Sequence, residues 1–472
     1  HQRKQTMKFQ FLGAVRQVTG SQHLLQVGGT RILIDCGMYQ ERDFQARNWE
    51  PSPFAPEDID ALLLTHAHVD HCGRAPKLVA EGFNGPIFAT AASTELVELI
   101  LRDSAKIQAE DVEYKKRRHR KEGRRVKRPI EPLYSIDDVE RTVPLLQPVR
   151  YEQSIPIGDD VSVAFHDAGH ILGSAIIELK VRENGRTRRV LFSGDLGQRG
   201  KPIVRDPAVF AQADVVVMES TYGDREHEPG GDIETQIADA IHRTVEAGGN
   251  IVVPIFAIER AQEFLYHVSR LLHTGQVPQL PVFLDSPMAV DATAIFRRHR
   301  ECFDANAWQL INEGRSLFNF SGLELVRSTE ESKAINDHKG TAIILSTSGM
   351  CTAGRIKFHL RHNISRKDST ILFVGYQAKG TLGRQILEGR KYVRIHGSDY
   401  TVKARVDQIR GFSGHADRTA MMDWLGNLQT PPERLFLVHG EESQALAFAK
   451  HIEDTLRWNV TVPEYRDVVE IN

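Results

Sequence analysis

Apolar residues in the first half of this chain fall into short runs, and most of those runs stop abruptly at a histidine or a carboxylate. From Met7 to about Val27, alternation such as Lys8-Phe9-Gln10-Phe11 and Leu24-Leu25-Gln26-Val27, broken by glycines, predicts a strand hairpin. Thr30-Arg31-Ile32-Leu33-Ile34 predicts a strand that delivers Asp35. Ile59-Asp60-Ala61-Leu62-Leu63-Leu64 predicts a buried strand ending where Thr65-His66-Ala67-His68-Val69-Asp70-His71 begins. A helical region is expected from about residue 91 through 111. A strand over 161–165 then runs toward Asp167-Ala168-Gly169-His170. A hairpin over 175–181 returns through 189–192 to Ser193-Gly194-Asp195, and the run 213–218 ends at Glu219.

Past Tyr222 the pattern changes. Asp232 can cap a helix with apolar residues at Ile233, Ile237, Ile241 and Val245, closed by Gly248-Gly249. Strands over 251–256, 281–285, 341–345 and 370–374 alternate with helices over 260–272, 289–300 and up to 360, which predicts βαβ units on a parallel sheet. After about Tyr400 the first texture returns. A strand near 402–409 precedes Gly411-Phe412-Ser413-Gly414-His415-Ala416-Asp417, a helix over 418–428 follows, and the strand 434–438 ends at His439-Gly440-Glu441. The alternating block therefore reads as an insertion: 7–220 is the first part of one domain, 221–400 the inserted domain, and 401–472 the remainder of the first.

The 472 residues, 41% hydrophobic and 26% charged, describe a globular protein of two or three domains. No apolar run approaches the roughly 20 residues of a membrane span and no signal-peptide pattern opens the chain, so no membrane partner is expected. The four cysteines (Cys36, Cys72, Cys302, Cys351) lack paired spacing, which fits a reducing, cytoplasmic setting. Cys36 and Cys72 adjoin motif residues and are expected to be small packing residues. The net charge of −2 hides one dense patch: residues 115–128 hold ten Lys/Arg in fourteen positions, including Arg117 and Arg118. Such a run is expected to be exposed, either as a solvated face or as a contact for a phosphate backbone.

Three imidazoles and a carboxylate within residues 66–71 suit a borderline cation such as zinc better than a solvated loop. On an extended segment His66 and His68 share a face, and the turn after them can aim Asp70 and His71 at a second centre. The candidate ligands are His66, His68, Asp70, His71, His170, Asp195 and His439. Three histidines at one metal, and two histidines with Asp70 at the other, bridged by Asp195, would hold two Zn2+. Ser346-Thr347-Ser348-Gly349-Met350 with Gly354-Arg355, and Gly380-Thr381-Leu382-Gly383-Arg384, could present N–H groups to a phosphate or be ordinary strand-to-helix turns.

Thr65-His66-Ala67-His68-Val69-Asp70-His71, with Asp35, His170 and Asp195 in order, resembles the metallo-β-lactamase fold. Glu219-Ser220-Thr221-Tyr222-Gly223, Gly411-Phe412-Ser413-Gly414-His415-Ala416-Asp417 and Leu437-Val438-His439-Gly440 resemble three further motifs of its β-CASP branch of nucleic-acid nucleases. Phe256-Ala257-Ile258-Glu259-Arg260-Ala261-Gln262-Glu263, Asp285-Ser286-Pro287-Met288 and Gly375-Tyr376-Gln377-Ala378-Lys379-Gly380-Thr381 are similar to other β-CASP segments. In layout the chain looks like the bacterial and archaeal relatives of the eukaryotic mRNA 3′-end cleavage endonuclease.

That resemblance implies an α/β protein, a metallo-β-lactamase αββα sandwich with an inserted βαβ-type β-CASP domain. It implies the seven ligands above, with Asp35 orienting a ligand rather than binding metal. It also implies that His415 is the general acid, paired with Glu219, and that Asp70 serves catalysis as well as metal binding. Ser348, Gly349, Arg355, Lys379, Arg384, Arg117 and Arg118 are the expected substrate contacts. His439 in the last motif favours RNA over DNA, and the lack of a long C-terminal extension favours an endonuclease over a 5′-3′ exoribonuclease. The expected reaction is hydrolysis of single-stranded RNA by a two-metal hydroxide mechanism, leaving 5′-phosphate and 3′-OH ends, with a homodimer as the expected assembly. A lactamase- or glyoxalase-like small-molecule hydrolase and a non-catalytic RNA-binding scaffold are the competing readings. A cap as large as the inserted domain speaks against the first, and seven intact ligand positions speak against the second.

Overall fold

The computed structural model describes residues 6–122, 130–183, 185–227 and 231–471. The chain forms two units: one takes the described residues up to Glu226 and those from Gly414 onward, and the other spans His227–Ser413.

Two seven-stranded sheets face each other in the first unit. One runs in the order Val468–Ile471, Met7–Gly13, Gln22–Val27, Thr30–Ile34, Ala61–Leu63, Ile87–Thr90 and Leu146–Val149. The other runs Val460–Thr461, Arg434–Val438, Val215–Glu219, Arg186–Phe192, Ala175–Glu183, Val161–Asp167 and Ile155–Ile157. Phe9, Phe11, Leu25, Ile34 and Leu63 of the first sheet interdigitate with Phe165, Ile177, Phe192, Val217 and Phe436 of the second. Helices Arg418–Leu425 and Glu442–Leu456 cover the outer face of the second sheet, burying Met421, Trp424, Phe448 and Ile452 against Leu191, Val216, Met218 and Leu437. Helix Ala91–Glu122 lies against Ile87–Thr90 and Leu146–Val149. The layers are therefore αββα. The strands nearest the site pair in parallel, which is why Ala61–Leu63 and Val215–Glu219 are buried throughout rather than alternating.

The second unit is built on a six-stranded parallel sheet in the order Leu323–Val326, Val282–Asp285, Ile343–Ser346, Ile251–Pro254, Thr370–Phe373 and Arg405–Gln408. Helices cover both faces. Ile237, Ile241, Phe264, Leu265 and Val268 pack on one, and Ile356, Leu360, Ile364 and Ile386 on the other. Helix Ile233–Ala247 begins at the Asp232 cap, whose carboxylate accepts from Thr235 N, and stops at Gly248 with φ +80°. Its buried stripe is Ile237, Ala240, Ile241 and Thr244; Val245, expected inside, is exposed.

Three elements differ from expectation. Strand Arg405–Gln408, grouped by its sequence with the C-terminal part, pairs with Thr370–Phe373 in the second unit's sheet. Helix Ala91–Glu122 continues eleven residues past 111 and carries Lys115 to Lys121 as helix, because Lys and Arg are strong helix formers whatever their charge density. The rest of the basic run, 123–128, lies outside the described residues. Finally, Val468–Ile471 returns to pair with Met7–Gly13, closing the first sheet.

Candidate metal centre

The candidate ligands follow the carboxyl ends of strands, Asp70 and His71 lying in the single helical turn Val69–Cys72. Asp35 follows Thr30–Ile34, Thr65 to His71 follow Ala61–Leu63, and His170 follows Val161–Asp167. Asp195 follows Arg186–Phe192, Glu219 ends Val215–Glu219, and His439 follows Arg434–Val438.

Donor atoms converge in two groups. His66 Nε2 and His170 Nε2 stand 3.0 and 3.1 Å from His68 Nδ1, and each lies 3.5 Å from Asp195 Oδ2. His71 Nε2 stands 3.0 Å from His439 Nε2, which lies 3.5 Å from Asp70 Oδ2. Asp195 Oδ1 faces this second group, 3.3 Å from His71 Nε2 and 3.5 Å from His439 Nε2. One carboxylate thus turns one oxygen to each group.

The outer ring nitrogens are already engaged. His71 Nδ1 donates to Asp35 Oδ2 at 2.7 Å, and His170 Nδ1 donates to the Gly414 carbonyl at 2.8 Å. With the proton on Nδ1, the inward Nε2 of each presents a lone pair. His439 Nδ1 meets Thr221 Oγ1 at 3.1 Å, and His66 Nδ1 meets Thr65 Oγ1 at 3.0 Å. Asp35 also accepts from Thr65 N at 2.8 Å and Ser21 Oγ at 3.1 Å, and it is held at φ +59°, a left-handed conformation costing about 1–2 kcal/mol for a residue with a Cβ.

This arrangement fits zinc. Lone pairs aimed at one another about 3 Å apart repel unless something positive lies between them. A tetrahedron of donors at about 2.0–2.1 Å from zinc has edges of about 3.3–3.4 Å, and the distances here are 3.0–3.5 Å. Asp195 Oδ1 is buried and accepts no hydrogen bond among the described residues, as expected of an atom reserved for a cation.

Charge follows the same geometry. Burial alone would raise the Asp195 carboxyl, but His439, His71 and His66 hold it well below the usual carboxylate range. Burial drives His66 and His170 well below the ordinary histidine value and His68 down to about 4. His71 and His439 go the other way despite burial: Asp195 and Asp35 raise His71 well above its ordinary value, and Asp195 with Asp70 pushes His439 up to about 9. Asp70, which burial would raise, is held at about 2 by its bond to His439 and by the charge of His71.

A third group borders the first. His415 Nδ1 lies 3.1 Å from Glu219 Oε2, and its ring centroid is 4.6 Å from that of His170. Glu219 is fully buried and also accepts from Leu196 N at 2.5 Å. The His415 side chain is 22% exposed, whereas those of His66, His71, His170 and His439 are at most 4% exposed. Burial lowers His415, but Glu219 and Asp195 outweigh it and raise it.

The expected substrate contacts divide between a helix of the first unit and the loops of the second. Arg117 and Arg118 are exposed on helix Ala91–Glu122. Ser348, Gly349, Lys379 and Arg384 lie in loops and a helix start beyond the carboxyl edge of the second unit's sheet. Arg355, in contrast, spends its guanidinium on buried Asp285 at 2.7 Å and the Arg327 carbonyl at 2.7 Å, so it braces the fold. The Ser348 hydroxyl accepts from Thr352 N and Ala353 N, and Thr381 caps helix Leu382–Leu387, so both glycine-marked stretches bond as strand-to-helix turns. Thr221, the Gly414 carbonyl and Ser193, whose hydroxyl accepts from Glu219 N at 3.0 Å, are supports that sequence reasoning missed; their one signal is adjacency to a motif residue. Cys36 and Cys72 are buried thiols. Burial pushes Cys36 up to about 11 and Cys72 well above its ordinary value, so both pack as protonated thiols.

Imidazole and carboxylate donors on the edge of an αββα sandwich define a metallo-hydrolase of the metallo-β-lactamase class. Family models agree: the metallo-beta-lactamase superfamily matches residues 15–244, the Beta-Casp domain 261–386, and the Zn-dependent metallo-hydrolase RNA specificity domain 399–463. The chain is 40% identical over 438 residues to "Ribonuclease TTHA0252" of Thermus thermophilus, covering 93% of this chain and 94% of that one. It is 32% identical over 476 residues to "Transcription termination factor FttA" of Methanocaldococcus jannaschii, covering 98% and 72%. A solved protein of unknown function from Enterococcus faecalis V583 shares the fold, with a TM-score of 0.56 at 11% identity over 99% of this chain and all of that one. The chain belongs to the β-CASP family of metallo-β-lactamase-fold, zinc-dependent metallo-hydrolases. Among the described residues no helix is long and apolar enough to cross a membrane.

Proposed function

We propose that the chain is a zinc-dependent endoribonuclease of the cytoplasm that hydrolyses single-stranded RNA to leave 5′-phosphate and 3′-OH ends. The observation that carries the reading is Asp195, with one oxygen toward the His66, His68, His170 group and the other toward the Asp70, His71, His439 group. RNA as the substrate is supported by the family description of residues 399–463 and by the ribonuclease name of the Thermus relative.

His66, His68 and His170 would hold one ion and Asp70, His71 and His439 the other, with Asp195 shared. When bound, two zinc ions acidify water and offset the charge that builds on a phosphate during in-line displacement. The protein supplies the rest. Asp35 and the Gly414 carbonyl fix the tautomers of His71 and His170, so their donor nitrogens stay aimed inward. Glu219 holds the His415 Nδ1–H, leaving Nε2–H to protonate the departing 3′ oxygen. Glu219 and Asp195 raise His415, which favours the protonated form that a donor needs. Arg117, Arg118 and Lys379 are exposed cations that would meet the RNA backbone.

The test is incubation of the zinc-loaded protein with an internally structured, end-labelled RNA, reading cut positions and termini. Internal cuts within unpaired segments, bearing 5′-phosphate and 3′-OH ends, are expected. A 2′,3′-cyclic phosphate would rule out a water nucleophile, and stepwise shortening from the 5′ end would replace endonuclease with exonuclease.

A further inference from the structure

In an open parallel sheet, ligands bind beyond the carboxyl ends of the strands where the chain reverses its direction of travel across the sheet. In the second unit that point is strand Ile251–Pro254. From it the chain moves to one side through Val282–Asp285 and Leu323–Val326, returns to Ile343–Ser346, and crosses to Thr370–Phe373 on the other side.

Aromatic side chains stand just past those carboxyl ends. Phe256, after the central strand, is 38% exposed, and Tyr376, after Thr370–Phe373, is 66% exposed. Tyr376 is the most exposed large apolar side chain among the described residues. The Phe256 ring rests on two glycine backbones: a Cβ at Gly349 would come within 2.6 Å of it, and one at Gly375 within 3.4 Å. Buried Gln377 ties these loops together, its Nε2 donating to the Gly349 carbonyl at 2.9 Å and the Gly375 carbonyl at 3.3 Å. The crest is thus braced from beneath, so the exposed rings are presented on a fixed support. Lys379 is exposed three residues past Tyr376, and Arg384 stands at the start of the following helix.

We infer that Tyr376 and Phe256 form a stacking platform for an unpaired base of single-stranded RNA, with Lys379 meeting the adjoining phosphate. Every base offers a π face, so aromatic rings beside a cation recognise unpaired strands with little sequence preference. The inference rests on the ribonuclease reading and adds the part of the substrate that this edge would take.

The test compares wild type, Tyr376→Ala and Tyr376→Phe as zinc-loaded full-length protein. Each is given a fluorescein-labelled single-stranded oligouridylate and a strand of the same length made abasic throughout. Stacking of about 1–3 kcal/mol per base predicts that Tyr376→Ala raises KM about 5- to 150-fold on oligouridylate. Tyr376→Phe should stay near wild type, and on the abasic strand the gap between wild type and Tyr376→Ala should close. An unchanged KM for Tyr376→Ala, or a loss equally large on the abasic strand, would overturn the platform. If wild type cuts neither strand, the ribonuclease reading fails, and the same comparison is read as Kd by fluorescence anisotropy. Tyr376-dependent binding would then keep the platform, and binding indifferent to Tyr376, or none, would remove it.

Discussion

His71 Nδ1 lies 2.7 Å from Asp35 Oδ2, and this contact decides which nitrogen of His71 faces the metal group. Asparagine at position 35 keeps the shape but can offer an N–H where the carboxylate accepted one, which favours the wrong tautomer. Asp35→Asn is expected to weaken zinc binding about 10- to 100-fold with the fold retained. Competition against a chromophoric chelator, with circular dichroism as the control for folding, measures it; unchanged affinity would remove Asp35 from its orienting role.

Glu219 should set the alkaline limit of catalysis. As a proton donor, His415 works in its charged form, so activity falls as pH rises through its pKa. Glu219 and Asp195 raise that pKa. Glu219→Gln removes the larger of these charges and should move the alkaline limb of the kcat/KM profile to lower pH, while His415→Ala should cost about 10²- to 10⁴-fold in rate. A limb that stays in place in Glu219→Gln would mean that another group donates the proton.

Zinc loading should release protons at neutral pH. In the metal-free chain Asp195 and Asp70 raise His439 to about 9, so it carries a proton at pH 7 that a metal must displace. Titration calorimetry at pH 7 in buffers of different ionisation enthalpy should give heats that scale with that enthalpy. Heats independent of the buffer would contradict it.

The metal-free chain should be most stable near neutrality. His68 is lowered to about 4, so between about 6.5 and 4 the unfolded chain takes a proton that the folded chain refuses, and stability falls as pH falls. His439 is raised to about 9, so its contribution is complete below about 6.5 and is lost as pH rises toward 9. Melting temperatures measured in chelator across pH 4–9 should fall on both sides of neutral; a Tm that climbed steadily with pH would contradict the His439 assignment.

Sequence pattern revealed the strand-end placement of the site because each strand is a clean apolar run cut off by a polar residue, as with Ala61–Leu63 before His66. Pattern marked His439 and His71 as candidate ligands, but their meeting across 368 positions is a tertiary fact that only the fold displays. Thr221 and Gly414 stand inside recognised motifs, but that they hold His439 and His170 leaves no mark in composition. An arginine after a glycine turn looks the same in sequence whether it meets a phosphate or a carboxylate; Arg355 bonds buried Asp285. Strand Arg405–Gln408 runs straight toward the motif at 411–417 in sequence, yet its backbone pairs with Thr370–Phe373 in the second unit, a pairing that no local pattern encodes.

The most direct test of a shared-carboxylate pair of ions is anomalous diffraction at the zinc edge from crystals of the zinc-loaded protein. Two peaks per chain are expected, one among His66, His68 and His170 and one among Asp70, His71 and His439, with Asp195 between them. A single peak, or two peaks with Asp195 touching neither, would contradict the account.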